Sequence, residues 1–330
     1  MSSLELAPVA APARRATRRA GIAGLGVALP DTTVSTATIA ARVGVDPEWI
    51  TRRTGIHARR RLAPGATIAG LGERAARAAL TDAGLDAAAL DALLVATASA
   101  DEVMPCAAPL IAGRLGAGRA MAWDVNLACT GFLAALEQGA ALIESGRATT
   151  VLVIAVDALA RVTDHDDRKT AALFGDGAGA VVLTPEGRMV LGGSILMTEA
   201  DDARALVIGH EDRLVRMDGQ VVFAHAVDAM ERCCRSVLVD AGLRPGDVDL
   251  VIPHQANARI TAALSDRLGL APERVVDEIR DLGNTGAATI PLALDAARRA
   301  GRVPAEGLLL LTAFGAGFAA GALLVEVQAA

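Results

Sequence analysis

Only three asparagines occur in this chain, Asn126, Asn257 and Asn284, and only five histidines, while 52% of its residues are hydrophobic and 2% aromatic. Polar side chains this scarce are informative where they fall. Asn126 opens the run Asn126-Leu127-Ala128-Cys129-Thr130-Gly131-Phe132, which places Cys129 between a predicted buried strand, Met121 to Val125, and a predicted helix, Thr130 to Ser145. The unpaired N–H groups and positive dipole end of a helix stabilise negative charge, and can bring a thiol from a pKa of about 8.5 into the range of roughly 3.5 to 7.5. The same N–H groups could hold the oxyanion formed when a thiolate attacks a thioester. A lone cysteine is more commonly buried and inert, and Cys106, Cys233 and Cys234 read that way, the last two in mid-helix. His254 directly follows a predicted buried strand in Pro253-His254-Gln255-Ala256-Asn257, the kind of strand end where α/β folds present catalytic groups. Asn284 sits in the Gly-flanked loop Gly283-Asn284-Thr285-Gly286, entering a helix, where capping is the ordinary reading. A thiol, an imidazole and a carboxamide, each at the end of an element, could meet at an interface.

The elements that must position them come in two copies. Glu73 to Leu85 (ERAARAALTDAGL) matches Glu231 to Leu243 (ERCCRSVLVDAGL) without a gap and with eight of thirteen positions identical. The likeness continues from Leu90–Leu94 to Val248–Ile252 at the same offset of 158 residues, so each copy reads as helix, turn, strand. The helix ends at Gly84 or Gly242, suited to a left-handed C-cap, and the strand is a continuous apolar run, as when both faces are buried. Ala178–Leu183 and Ala320–Val325 form a looser second echo. Strands are also expected at Thr150 to Val156 and Asp249 to Ile252, with a helix from about Ala256 to Leu268. The expected fold is α/β, two duplicated halves packed as layered sheets with helices between and outside them.

Composition excludes other classes. A net charge of −6 leaves no general electrostatic footprint for nucleic acid, and the absence of Tyr leaves little for base stacking. Four cysteines without C-x₂-C spacing suggest neither a metal site nor a secreted disulfide framework, which favours a reduced cytoplasmic chain. Residues 1–18 lack the apolar core of a signal peptide and read as a disordered tail. Gly307 to Val325 is uncharged over nineteen residues, but its four glycines favour two buried strands around a Gly-rich turn over a membrane span. Gly24-Leu25-Gly26 and Gly175-Asp176-Gly177 lack the spacing of a dinucleotide fingerprint and read as tight turns.

Taken together, these motifs resemble β-ketoacyl-acyl-carrier-protein synthase III of the thiolase superfamily, from about Arg19 to Val327. Cys129 in Cys-x-Gly-Phe, His254 in Pro-His-Gln-Ala-Asn and Asn284 in Gly-Asn-Thr match the family's catalytic residues. Glu48-Trp49-Ile50 with Arg53-Thr54-Gly55-Ile56, Phe174 to Ala180 and Ala313 to Phe318 are further matches in family order. The resemblance implies a thiolase-like αβαβα architecture, with residues 19–185 carrying the nucleophile and 186–330 the His and Asn. It also implies an acyltransferase in which acyl-CoA acylates Cys129. Malonyl-ACP then loses CO₂ while His254 and Asn284 hold the enolate oxygen, and the carbanion attacks the acyl group to give β-ketoacyl-ACP. The backbone N–H groups of Cys129 and Ala316 would form the oxyanion hole, and no metal or cofactor is required. Trp49, Arg53 and Arg168 resemble residues of the CoA entrance, with Trp49 and Arg168 sandwiching the adenine; Phe223 resembles one that lines the substrate tunnel, Asn257 one that supports the site near the pantetheine, and Phe314 one that binds CoA or substrate. Arg259 and Arg267 resemble carrier-docking arginines, and Met104 stands where a residue often closes the acyl pocket of a partner subunit in a homodimer. Four departures bear on specificity: a shorter stretch between Leu183 and Phe223, Lys169 and Met104 at unusual positions, and Ala316 for the middle Gly of a Gly-Gly-Gly run. The alternative within the same family is a secondary-metabolic enzyme that takes an unusual starter or moves an acyl group to another acceptor.

Overall fold

A strand that is apolar on both faces needs a helix layer on each side, and this requirement organises the computed structural model, which describes residues 18–329. The chain begins with β1 (Gly21–Ala28). The antiparallel pair β2 (Thr32–Ser35) and β3 (Ala58–Arg61) encloses α1 (Thr36–Val43) and α2 (Pro47–Thr54). Then follow α3 (Ile68–Ala83), β4 (Ala92–Ala96), α4 (Ala107–Leu115), β5 (Met121–Val125), α5 (Gly131–Glu144), β6 (Val151–Ala158) and β7 (Asp176–Thr184). The remainder comprises β8 (Met189–Thr198), the hairpin β9 (Leu206–Ile208) and β10 (Val215–Met217), α6 (Gly219–Asp240), β11 (Leu250–Pro253), α7 (Ala258–Leu268), α8 (Thr289–Arg299), β12 (Gly307–Gly315) and β13 (Ala319–Val327). Most of the segment expected to be a disordered tail, residues 1–17, lies outside the described residues.

Side-chain alternation along the strands sorts the cores into layers. Leu93, Val95, Leu152 and Ile154 face α3 and α4, while Leu94, Val151 and Val153 face the opposite way, onto α5 and α8. Leu309, Leu311 and Leu323 close on α5 and α8 from the other side, and Leu310, Ala322 and Leu324 face α6 and α7. The result is the expected αβαβα layering. The strands nevertheless form one nine-stranded sheet, in the order β11-β12-β13-β8-β1-β7-β6-β4-β5, because β1 bridges to β8 at Gly21–Val190 and Ile22–Met189. The repeated segments take matching places: α3 precedes β4 as α6 precedes β11, and β7 and β13 run antiparallel to β6 and β12. Gly84 and Gly242 both lie in the left-handed region, φ 66° and 72°. Gly307 to Val325 folds into β12 and β13, paired antiparallel, and among the described residues no helix is long and apolar enough to cross a membrane.

The tight-turn reading of the glycines is corrected. Gly24 and Gly26 lie within β1, where they let α3 approach: a Cβ on Gly26 would sit 2.2 Å from the Ala79 nitrogen, and one on Gly24 2.4 Å from the Ala79 carbonyl oxygen. Gly175 similarly admits the Leu282 carbonyl, 2.2 Å from where its Cβ would be. Replacing Gly26 with Ala must therefore push α3 off the sheet. Gly26→Ala is expected to lower the unfolding free energy by about 1–3 kcal/mol, read from the midpoint of a urea titration; an unchanged midpoint would refute this account of the contact.

Candidate active site

Cys129 lies in a single 3₁₀ turn, Ala128–Thr130, that bridges β5 and α5. The turn is held under constraint. Ala128 takes φ 46°, unusual for a residue with a Cβ, with its N–H donating to Asn126 Oδ1 at 3.3 Å, and the buried Thr130 hydroxyl donates to the Ala319 carbonyl at 2.9 Å. The end of β12 packs directly against it, since a Cβ on Gly315 would lie 2.9 Å from the Cys129 nitrogen. Ala316 follows. The left-handed residues here are Gly317 (φ 75°) and Phe318 (φ 50°), so Ala316 replaces a glycine at no backbone cost.

His254 is set at the end of β11, its N–H donating to the Thr312 carbonyl at 2.7 Å and its Nδ1 lying 2.6 Å from the Thr289 hydroxyl at the start of α8. Asn284 is pinned from both sides. Its N–H donates to the Leu173 carbonyl and its carbonyl accepts from the Gly175 N–H, both at 2.9 Å, while its Oδ1 accepts from the Gly286 N–H at 2.9 Å. With the oxygen occupied in this way, the Nδ2 group is the end available as a donor.

These three side chains come from well-separated parts of the chain and line one cavity of about 100 Å³. Its apolar wall includes Leu173, Phe174, Leu206, Met217 and Met230, beside the expected Phe223, Asn257 and Phe314. Asn257 also caps α7, accepting from the Arg259 N–H at 2.9 Å. Leu206 and Met217 belong to the short β9–β10 hairpin, so the abbreviated stretch noted in the sequence forms part of the cavity wall.

Burial sets the charge states, and it overturns the expectation of a thiolate. Cys129 keeps some surface toward the cavity, yet the protein around its sulfur pushes the thiol up to about 12, with the Asp157 charge adding to the effect and its own N–H opposing it. Enclosure outweighs the stabilisation offered by that N–H here. Burial also pushes His254 down to about 3, so the imidazole is neutral at physiological pH. Asp157, which ties the loop after Asn284 to the end of β6, is a residue the sequence reading missed. It is fully buried at the end of β6, where Oδ1 accepts from the Thr97 hydroxyl (3.1 Å), the Ala98 N–H (2.9 Å) and the Ser99 hydroxyl (2.7 Å), and Oδ2 accepts from the Ala287 N–H (2.9 Å). One acid closing an otherwise apolar buried run was its visible signal. Thr289 was also missed, and nothing in its local sequence marks it.

The remaining candidates lie around the entrance. The guanidinium stacked on Trp49 is that of Arg53, 4.2 Å from the ring centroid, whereas Arg168 is exposed and stacks on no ring among the described residues. Arg53 is therefore the cation seated on Trp49, beside the entrance to which the resemblance assigns Trp49 and Arg168. Arg259 lies 5.6 Å over Phe223 and joins Lys169, Arg204 and Arg216 in an open cleft that shares Met217 and Gly219 with the cavity. Arg267 is set apart, paired with Glu231 at 3.0 Å and Asp228 at 3.5 Å. Met104 is 86% exposed on the loop before α4, outside this chain's own cavity.

A neutral resting thiol has a direct consequence. In the free protein, alkylation of Cys129 by iodoacetamide should rise about tenfold per pH unit from pH 6 to 9 without a plateau, because the thiolate fraction is still climbing below a pKa near 12. Peptide mass spectrometry over a pH series measures this, and a plateau near neutral pH would contradict it.

Comparison with known proteins gives the family. Family profiles described as 3-oxoacyl-[acyl-carrier-protein] synthase III and as its C-terminal part match residues 123–199 and 238–327. A β-ketoacyl-[acyl-carrier-protein] synthase III of Nitratidesulfovibrio vulgaris is 43% identical over 321 residues, covering 92% of this chain and 97% of the relative. The crystal structure of the synthase III of Pseudomonas aeruginosa PAO1 is 40% identical, with a TM-score of 0.90 over 94% of this chain and 99% of that one. The priming β-ketosynthase of the R1128 polyketide pathway is 36% identical, with a TM-score of 0.90 over 96% and 99%. By fold, by sequence and by the match across nearly its whole length, this chain belongs to the 3-oxoacyl-[acyl-carrier-protein] synthase III family.

Proposed function

We propose that this chain condenses an acyl group from acyl-CoA with malonyl-ACP, by way of an acyl-Cys129 intermediate. The observation that carries the reading is the convergence of Cys129, His254 and Asn284 on one apolar-walled cavity. In the first half-reaction the Cys129 sulfur attacks the thioester carbon, the backbone N–H groups of Cys129 and Ala316 hold the oxyanion, and the C–S bond to CoA breaks. The proton lost by the neutral thiol ends on the departing CoA sulfur, so this step needs no separate strong base.

In the second half-reaction the malonyl C–C bond breaks and CO₂ leaves. The electron pair collects on a thioester enolate whose oxygen accepts from His254 and the Asn284 Nδ2 group. The enolate carbon attacks the acyl carbonyl, the bond to Cys129 sulfur breaks, and the thiolate takes a proton from solvent. Both donors are neutral, so neither forms an ion pair that would hold the malonyl carboxylate back. The cleft of Lys169, Arg204 and Arg259 would receive the phosphates of CoA and the acidic carrier, whereas Arg216 is paired with Asp212 and Arg267 with Glu231 and Asp228. In this reading residues 19–185 supply the nucleophile and 186–330 the two donors, and the chain works in the reducing cytoplasm.

The reading includes a homodimer. β5 is an edge strand with unpaired backbone groups, Met121 on it is 58% exposed, and Val103 and Met104 nearby are 91% and 86% exposed. A second copy across a two-fold axis covers all of these and brings Met104 toward the neighbouring cavity. Met121→Asp, which puts a charge into that contact, should shift the protein toward monomer by light scattering; an unaltered mass at matched concentration would count against the interface.

A panel of acyl-CoAs tests the chemistry. Intact mass should show one acyl adduct, retained in Cys106→Ala and absent in Cys129→Ala, and malonyl-ACP should discharge it with release of CO₂. No adduct with any acyl-CoA would sink the proposal. An adduct passed to an acceptor without CO₂ release would favour simple acyl transfer. The likeness to a priming ketosynthase supports a second, pathway-dedicated reading, which a preference for longer or branched starters in the same panel would select.

A further inference from the structure

Two half-reactions at one site leave a question about a single hydrogen. A neutral imidazole carries one N–H, on Nδ1 or on Nε2, and only one of these tautomers lets His254 donate into the cavity. Burial keeps His254 neutral, so a second proton does not remove the choice. The position of that hydrogen is governed by the partner of Nδ1, and that partner is Thr289.

The Thr289 hydroxyl also has one proton and two places to put it. His254 Nδ1 is 2.6 Å away and the Gly286 carbonyl 3.1 Å away. Thr289 and His254 are 2% and 3% exposed, so this arrangement is enclosed by protein. If Thr289 gives its proton to Gly286, Nδ1 must carry the imidazole hydrogen, and Nε2 presents only a lone pair. If Thr289 gives its proton to Nδ1, the hydrogen resides on Nε2. The distances discriminate between these cases. At 2.6 Å the contact is shorter than the usual 2.7–3.2 Å of an N–H donating to oxygen, while 3.1 Å to Gly286 is long for a hydroxyl donating to a carbonyl, so the hydroxyl sits closer to Nδ1 than to its other possible acceptor.

We infer that the Thr289 hydroxyl donates to His254 Nδ1 and thereby fixes the Nε2–H tautomer, making Thr289 the positioning residue that turns His254 into a hydrogen-bond donor for the enolate. The site then presents two N–H donors, His254 Nε2 and Asn284 Nδ2, each fixed in orientation by a bond to its other heteroatom. The same segment supplies both controls: the Gly286 N–H orients Asn284, and Thr289, three residues on, orients His254. The tautomer that donates to an enolate cannot take the Cys129 proton on Nε2, which agrees with acylation in which that proton passes to CoA. This part of the inference rests on the proposed condensation; the tautomer itself does not.

The test therefore has two arms. In protein labelled with ¹⁵N-histidine, with the resonances of His254 identified by their loss in His254→Gln, long-range ¹⁵N–¹H correlation should show a protonated Nε2 and a bare Nδ1. Thr289→Val, which keeps the shape and removes the hydroxyl, should move those shifts toward the other tautomer or a mixture, and Thr289→Ser should restore them. In the second arm, discharge of the acyl-enzyme by malonyl-ACP should fall about 10- to 100-fold in Thr289→Val, up to the cost of losing one oxyanion donor, with the loss in kcat rather than KM. Acylation by acyl-CoA should fall much less, and Thr289→Ser should recover most of the rate. A protonated Nδ1 in the wild-type protein would overturn the inference, as would equal loss in both half-reactions with unchanged shifts. Because the first arm needs no substrate, failure of the condensation reading would be distinguishable from failure of this one.

Discussion

The Asp157 carboxylate is the contact on which the site's geometry depends. It is fully buried, with no ion-pair partner among the described residues, and compensated by hydrogen bonds from Thr97, Ala98 and Ser99 on one side and from the Ala287 N–H on the other. Removing such a group from water costs several kcal/mol unless its lone pairs are used, and here that requirement joins segments 130 residues apart in sequence. The Asn284 loop is therefore bound to the sheet that presents Cys129. The positive-φ Gly286 makes room for the acid, since a Cβ there would fall 2.2 Å from Asp157 Oδ2.

The same enclosure gives the site its electrical character. Low polarity raises the Cys129 thiol and lowers the His254 imidazole, so both rest uncharged within one small cavity. A charged pair would bind water and counter-ions strongly. A neutral set instead offers directional N–H groups where negative charge develops during reaction, the situation in which fixed dipoles act most strongly. The cations Lys169, Arg204 and Arg259 sit outside, in the open cleft beside the cavity.

Much of the fold was readable locally because its signals are local. Buried strands declare themselves as apolar runs, helices by spacing and by C-terminal glycines, and the repeat at an offset of 158 residues places α3–β4 and α6–β11 in matching roles. Glycines were harder. Gly24 and Gly26 look like turn residues in sequence, but their purpose is to let Ala79 of α3 approach β1, and a neighbour 53 residues away leaves no local mark. The entrance was only partly legible, since which arginine stacks on Trp49 and which is taken up by acids depends on packing between elements.

By itself the sequence determined most of the order of the elements and singled out Cys129, His254 and Asn284 as candidates, through their rarity and position at element ends and through their family motifs. The tertiary structure decided their charge states, the orientation of the Asn284 amide, and the Asp157 and Thr289 contacts that hold the site together. Those properties arise from desolvation and from hydrogen bonds between distant segments. Neither exists until the layers close, so a helix start that favours a thiolate in isolation holds a neutral thiol in the folded protein.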